Sequence, residues 1–578
     1  MIEKTLQDTK GLIRVAYGEQ CPDCIIANAA VLNVFDGTLF ESNIWIYRNW
    51  IAYVGGKEPI KDERTTIIDG EGFVAVPGYI DVHGHADLFY NPATFADMAI
   101  TTGTTTVFSD GHDMINSIGV EGFIEVLKTS DTFSTKFLWG VPATYPPYPE
   151  VEGGEMFSFY DVWRLFSRYR ECASMSELSP YMRILKNEDE ILERILMARS
   201  LGKNVEGHTL GASYDRLNVL AAAGITSCHE SIRESDLRNR IRLGFSTMVR
   251  HSSIRSDLKD LCPIIKELPK DAVMLVSDGI FAADLCTKGY MDHVIREAIG
   301  FGLKPEDAIR MATLNPARYF RMDNDIGSIA PGRIADILLL EDLEHPTPVK
   351  VIERGRLAAD HGMLKRKEVS FPDIGTRFNS YAFDRVGREE FLIEKKGEGI
   401  VPIIDIVDRT VTKKIDYRLP DDGTHLLPDR TGDVRKILCT RRDRKKWGKG
   451  FVRGIGASVG AIVSTVCHET HGLLVTGFDD DDMALAANTA LSMGGGVVFA
   501  DKGKVLYTLT LPYGATMSGL PVKALAEELK QANSILQEKG SSLDDPLWTI
   551  VFLTFTSIVE VRLTVSGIYD VKKAAIVF

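Results

Sequence analysis

Two histidines separated by one residue, His83 and His85 in PGYIDVHGHADL, are the first residues of this chain whose types and spacing could do chemistry. Residues i and i+2 of a β-strand project from the same face, and the apolar run YIDV reads as a strand. Both imidazoles can therefore reach one metal ion. A spaced pair is weak evidence alone and needs further ligands downstream. Later apolar runs supply them: His208 closes KNVEGH, His229 closes GITSCH, and Asp278 closes AVMLVSD. Glu177, in MSELSP, precedes the unit that ends at His208. Taken singly, each reads most simply as a buried side chain satisfied by the backbone. Together they place four histidines and two carboxylates along successive strands, enough nitrogen and oxygen for a binuclear metal site. A ligand set without cysteine suits Fe(II), Mn(II) or Zn(II) and does not choose among them.

Something must hold these strand ends together. From Val76 to about Phe320, the runs TTTVFSD, KFLWGVPA, KNVEGHT, GITSCHE, STMVRHS and AVMLVSD alternate with stretches of helical character. Alternating β and α units over ~250 residues fit a (β/α)8 barrel, although a doubly wound open sheet gives similar local signals. The runs end in His, Glu or Asp, and a barrel presents chemistry at the carboxyl ends of its strands, which favours the barrel. Strand texture before it (IIANAAVLNVF, NIWIYRNWIAYVGG) returns after it (ADILLLEDL, VKVIERGRLAAD), so one small sheet domain is expected from both flanks. The expected organisation is α/β: residues 1–75 and 326–390 form a composite β-sandwich, 76–325 the barrel, and 391–578 a separate C-terminal α/β domain.

Bulk properties narrow the function classes. A net charge of −13 disfavours a general nucleic-acid or anionic-membrane binder. The basic run TRRDRKKWGKG, within residues 435–450, reads as a solvated loop rather than a polyanion site. No signal peptide precedes the first strand, and the longest apolar stretch, LWTIVFLTF, is too short for a bilayer, so a cytoplasmic protein is expected. The eight cysteines lack framework spacing, which suits reduced thiols, and the lone CPDC at Cys21 and Cys24 has no second pair to complete a zinc site. HETH at His468–His471 is not the HExxH zinc motif; it reads as a packed strand-to-turn corner, with a turn back toward the barrel mouth as the alternative. MATLNPARYF reads as a helix stopped before Asn315-Pro316.

The chain resembles the bacterial adenine deaminases of the amidohydrolase superfamily. The resemblance runs through PGYIDVHGH, EGHTLGA to AAAGITSCHES, MDHVIREAIGFGLKPEDAIRMATLNPARYF and GSIAPGRIADILLLEDL, and on into KGFVRGIGASVGAIVSTVCHETHG and LDDPLWTIVFLTF. It implies that His83, His85 and Asp278 hold the more buried metal, that Glu177 bridges two metals, and that His208 and His229 complete the second. It implies divalent metal, two ions per chain, with Mn(II) or Fe(II) favoured and Zn(II) possible. Metal-activated hydroxide would attack C6 of adenine, Asp278 would carry the proton, and hypoxanthine and ammonia would leave. A purine or related heterocycle is then the partner, and a homo-oligomer is expected.

The pattern departs from the family near the chemistry. Asp87 stands where the family has Glu, Gly279 follows Asp278 in place of a second Asp, TLGA follows His208 in place of APGL, and His251 follows STMVR where the family often carries Glu. Asp87, His251, Gly279 and His468 are therefore the expected substrate contacts. Because buried recognition groups decide substrate choice, another aminated heterocycle such as an N6-substituted adenine, or a cyclic amide, stays open as substrate. An inactive binding paralogue is disfavoured, since all six ligand candidates are present.

Overall fold

The computed structural model describes all residues except 1–2, 155–156, 366–368, 375–377, 379–380, 444–445 and 559. Five strands come first: β1 (Cys24–Asn33), β2 (Thr38–Tyr47), β3 (Trp50–Gly55), β4 (Thr66–Asp69) and β5 (Val74–Pro77). Eight follow, separated by helices: β6 (Tyr79–Gly84), β7 (Thr104–Asp110), β8 (Lys136–Val141), β9 (Cys172–Leu178), β10 (Asn204–Gly207), β11 (Ser227–Cys228), β12 (Ser246–Arg250) and β13 (Val273–Val276). Then come β14 (Ile337–Leu340), β15 (Lys350–Glu353), β16 (Arg356–Asp360) and β17 (Met363–Leu364).

The two flanks share one sheet, ordered β17-β16-β15-β14-β5-β1-β2-β3 with β4 on β1; its seam is the antiparallel pairing of β5 with β14. The eight inner strands pair only in parallel, as a half-barrel β6-β7-β8-β9-β10 and a three-stranded sheet β11-β12-β13. These two sheets meet at both edges. The Asp278 amide donates to the His83 carbonyl at 3.0 Å, and the Thr226 amide donates to the Val205 carbonyl at 2.8 Å. Alternate residues of the inner strands (Ile80, Val82, Phe108, Leu138, Met248 and Met274) join Trp45 and Trp50 of the flanking sheet and Phe320 in one buried cluster. Phe108 and Phe320 stack there with centroids 3.6 Å apart. The period-2 alternation of strands thus sends apolar side chains to this plug while helices cover the outer faces.

The C-terminal region is an eight-stranded sheet that includes β18 (Ile400–Ile406), β19 (Thr412–Arg418), β20 (Val434–Arg441), β21 (Gly448–Arg453), β22 (Ala461–Ser464) and β23 (Gly472–Gly477), with the helices Asp480–Ser492 and Val522–Glu538 following. No described helix is long and apolar enough to cross a membrane.

The expected helix does stop before Asn315-Pro316, at Met311, but a second helix, Leu314–Tyr319, starts at once and takes Pro316 into its first turn, where the backbone N–H it lacks has no intrahelical acceptor anyway. Of the described residues of the basic run, Lys446 is exposed as a solvated loop would have it, but Arg441 and Arg442 are not free in solvent. Arg444 and Lys445 lie outside the described residues, but Arg441 donates to Asp443 and to the Glu152 carbonyl, and Arg442 donates to the Gly514 carbonyl. Those cations are spent on internal contacts.

The half-barrel is tied to the flanking sheet by a buried ion cluster. Lys136 of β8, 4% exposed, stands 2.7 Å from Asp336 and 3.4 Å from Glu353 of β15. Removing the cation takes from Asp336 the ammonium 2.7 Å away in a buried seam, while Glu353 keeps Arg354 at 2.9 Å. Lys136→Met is expected to destabilise the protein by about 3–5 kcal/mol, read as a lowered denaturant midpoint at unchanged slope. An unchanged midpoint would show that the seam does not need the charge.

Candidate active site

β6 ends in His83-Gly84, and His85 follows immediately. Gly84 fits tightly between the two imidazoles, since a Cβ there would lie 3.1 Å from both the Asp81 carboxylate and the Tyr290 hydroxyl and would press on that pair. β13 ends two residues before Asp278, whose φ of 61° is left-handed, an uncommon conformation for a residue with a side chain. That turn brings its carboxylate back over β6: Asp278 Oδ1 lies 3.6 Å from both His83 Nε2 and His85 Nε2. Across the mouth, Glu177 on β9 reaches His208 Nδ1 at 3.0 Å and His229 Nε2 at 3.2 Å through one oxygen. The same oxygen is 3.8 Å from His83 Nε2, and the His83 and His229 rings stack with centroids 4.1 Å apart.

All six residues expected as ligands therefore converge at the strand ends. Their donor atoms form two tight groups, His83–His229–Asp278 and Glu177–His208–His229, each with every pair of atoms within 4.8 Å. His229 is common to both groups, whereas His85 falls instead with His112 and Asp113. His83 Nε2 and His208 Nε2 are buried and lack hydrogen-bond partners. Unpartnered imidazole nitrogens among ionised carboxylates are what a nitrogen- and oxygen-binding cation fits.

The electrostatics agree. Burial opposes ionisation of Glu177, yet His208 and His229 outweigh it and hold the carboxyl well below its usual range. Asp278 behaves likewise: burial raises it, but His83, His85 and the Arg250 guanidinium hold it well below. In return the carboxylates favour protons on His85, His208 and His229, whereas burial and the neighbouring His229 lower His83. Burial lowers His85, but Asp278 and Glu177 raise it to about 9.

Sequence reasoning missed two groups here. Glu230, next to His229, is 2% exposed and accepts both terminal nitrogens of Arg250 at 2.5 and 2.9 Å. Arg250 also reaches Asp278 Oδ2 at 3.1 Å and Asp257 at 3.0 Å. Arg250 ends the strand STMVR, so the strand-end rule could have found it. The same rule applied to TTTVFSD leads to Asp110, whose carboxylate accepts the Glu177 amide at 2.8 Å, and to His112 beyond it.

The cage opens into a cavity of about 340 Å³. Gly279 and His468 line it; Asp87 and His251 do not. Asp87 is fully buried beneath, accepting the Met114 amide at 2.9 Å, and burial together with Asp113 pushes its carboxyl up to about 8. His251 turns away to Ser256, 2.5 Å from its hydroxyl, and packs edge-on against His293. The C-terminal domain provides much of the wall through Trp548, Phe552, Phe555 and His468. Trp548 stacks on Phe281 at 4.5 Å, and Phe555 lies edge-on to His468 at 4.3 Å. HETH is thus a turn directed into the barrel mouth, not a corner packed away from it.

A cage of histidines and carboxylates on parallel strand ends, facing a mostly apolar cavity, is the arrangement of a hydrolase site on an α/β half-barrel fold. Residues 74–365 match the amidohydrolase family, and residues 409–575 match the adenine deaminase C-terminal domain. The chain belongs to the amidohydrolase family and, within it, to the adenine deaminases. An adenine deaminase from Moorella thermoacetica is 33% identical over 97% of this chain and 96% of its own length. One from Kosmotoga olearia is 30% identical over 97% of both chains. A third, from Clostridium botulinum, is 32% identical over 98% of this chain and 96% of its own.

Because His85, His208 and His229 hold protons when no metal is present, while burial and His229 keep His83 neutral, a cation must displace protons from three of the four imidazoles. Mn(II) affinity is therefore expected to rise with pH up to about 9, the value for His85, with proton release on binding measurable by calorimetry in two buffers. A pH-independent affinity between neutrality and that value would contradict the charge state described.

Proposed function

We propose that this chain hydrolyses adenine to hypoxanthine and ammonia in the cage at the strand ends. The carrying observation is that six potential ligands converge beneath an aromatic-walled cavity in a chain whose full-length relatives are named adenine deaminases. The β6–β13 strands act as one closed (β/α)8 barrel; the hydrogen bonds at both edges of its two sheets support closure. The domains follow as 1–75 with 326–390, 76–325, and 391–578, a division favoured by the sheet shared between the two flanks. Membership of the family also favours a homo-oligomer working in the cytoplasm on a free base.

Two divalent cations fit the cage. His83, His85 and Asp278 would hold one, His208 and His229 the other, with Glu177 between them, where its single oxygen already faces His83, His208 and His229. Mn(II) or Fe(II) suits this nitrogen and oxygen set, and Zn(II) is compatible. Such ions supply a water acidic enough to ionise near neutrality and polarise the bond under attack.

The remaining work falls to the chain. Asp278, ionised and anchored through Oδ2 by Arg250, offers Oδ1 to take the proton of the attacking water and pass it to a ring nitrogen or the leaving amine. Arg250 fixes Glu230 and Asp278 relative to each other, so two strand ends keep one spacing. The aromatic wall excludes bulk water and gives a planar base a surface to lie against. A second reading, a larger aminated heterocycle such as an N6-substituted adenine, is favoured by Gly279. It places no side chain on the wall, and even an added Cβ would meet only Ile254, at 3.5 Å.

Ammonia release with the ultraviolet change from adenine to hypoxanthine tests the first reading, using protein reconstituted separately with Mn(II), Fe(II) and Zn(II). Asp278→Asn is expected to lower kcat by roughly 10²–10⁴-fold while bound metal stays within the wild-type count. Near-normal turnover in that variant would remove Asp278 from proton transfer. No turnover of adenine by metal-loaded wild type, with turnover of a larger aminopurine, would select the second reading.

A further inference from the structure

Beside the cage, and separated from it by the ring of His85, lies a second group of buried ligating atoms that the proposed reaction does not use. His112 and Asp113 occupy the first turn of the helix His112–Thr129, immediately after β7. Opposite them, the turn between β22 and β23 of the C-terminal domain delivers His468 and His471. In that turn Glu469 and His471 have φ values of 64° and 35°, left-handed conformations that residues with side chains rarely adopt. Strain of this kind persists where surrounding contacts fix it and often marks a functional site. Here it aims two imidazoles at one carboxylate: Asp113 Oδ1 is 2.5 Å from His471 Nε2 and 3.2 Å from His468 Nδ1.

The hydrogen bonding is incomplete. His112 Nε2 is 3.1 Å from Asp113 Oδ2, yet neither atom makes a hydrogen bond, and His468 Nδ1 is also buried without one. The second nitrogen of His112 is spoken for, with Nδ1 at 2.9 Å from Asp110 Oδ1. A carboxylate on Nδ1 fixes that nitrogen as the donor, so that in the neutral ring Nε2 would carry the lone pair, the arrangement that orients a metal-ligating histidine. His85, His112 and Asp113 each present a donor atom within 4.8 Å of the others, and His468, outside that group, reaches it through Asp113, with Nδ1 3.2 Å from Oδ1. The ion pairs of Asp113 among the described residues are all to histidines, with no lysine or arginine to neutralise it. Buried charges left in that state are either paired with protonated histidines or coordinate metals.

We infer that His112, Asp113 and His468 form a further site for a first-row divalent cation at the junction of the barrel and the C-terminal domain. Its ligands come from both, so the cation pins the turn that carries His468 into the substrate cavity. An imidazole and carboxylate set without sulfur suits Zn(II), Mn(II) or Fe(II). A network of protonated histidines is the alternative way to compensate the same carboxylate.

Crystals of the full chain loaded with Mn(II), with anomalous data collected at the manganese edge, distinguish the two. The expected result is a peak between His112 Nε2, Asp113 and His468 Nδ1, resolved from any peak beside Glu177. Asp113→Asn and His468→Ala are each expected to lose about one metal equivalent per chain by elemental analysis while the peaks beside Glu177 remain. Absence of a wild-type peak at the junction, or variants that keep the wild-type count, would overturn the inference in favour of protonated histidines. Should both variants fail to fold, the wild-type map decides alone. A junction peak without peaks beside Glu177 would sink the proposed cage and leave this site standing.

Discussion

The molecule is organised around the cost of keeping ionised carboxylates out of water. Glu177, Glu230 and Asp278 are almost wholly enclosed at one end of the parallel strands, where an uncompensated charge would cost several kcal/mol. Compensation comes from side chains that only the strand ends can bring together. Arg250 on β12 holds Glu230 and Asp278, and His208 and His229 hold Glu177. Each pairing joins different strands, so the charges that make the site reactive also fix the spacing of the strands that carry it. The apolar plug around Trp45, Trp50 and Phe320 stabilises the opposite end without any such geometric demand. Function and stability are thereby divided between the two ends, as the direction of parallel strands permits.

The C-terminal domain completes the chemistry's surroundings rather than adding a separate module. Trp548, Phe552 and Phe555 wall the cavity, and His468 enters it from a strained turn. Excluding water strengthens every electrostatic interaction beneath, so the same wall that shapes the cavity makes the cage both more costly and more effective. Contacts such as the Asn116 amide to the Glu469 carbonyl at 3.1 Å, and the Ser179 hydroxyl to the Glu469 carboxylate at 3.1 Å, tie that turn to the barrel loops.

The six potential cage ligands were legible because strand direction is legible: apolar runs ending in His, Glu or Asp name the residues that a parallel sheet must bring to one end. The rule worked for His83, His208, His229 and Asp278, each at or just beyond a strand end. What it could not supply was direction after the strand stops. His251 follows β12 immediately, yet the backbone turns and Ser256 captures its ring, while Arg250 one residue earlier faces the cage. Asp87 follows the paired histidines but sinks beneath them to cap the Met114 amide. HETH lies in a different sheet some 380 residues after His85, and no periodicity reports that its turn folds back on the barrel. Around Pro316 the stop was legible, since the helix ends at Met311, but the immediate restart at Leu314 was not, because a proline in a first helical turn leaves the same sequence trace as one beyond a helix end.

The state of Asp278 constrains the chemistry further. Its two oxygens are not equivalent: Oδ2 accepts from Arg250, and Oδ1 faces His83 and His85. This environment holds the carboxyl well below its usual range and makes it a weak base. Proton transfer to a weak base is efficient only from a donor of matching acidity, and ordinary water is far from that. A site whose base has been weakened by arginine and histidine must therefore gain its reactivity by acidifying the water instead. On the proposed reading, that is why the convergence of imidazole nitrogens from His83, His208 and His229 on one Glu177 oxygen matters more than the strength of the base beside them. The same weakness suits the return step, because a carboxyl that takes up a proton reluctantly gives it readily to a departing amine.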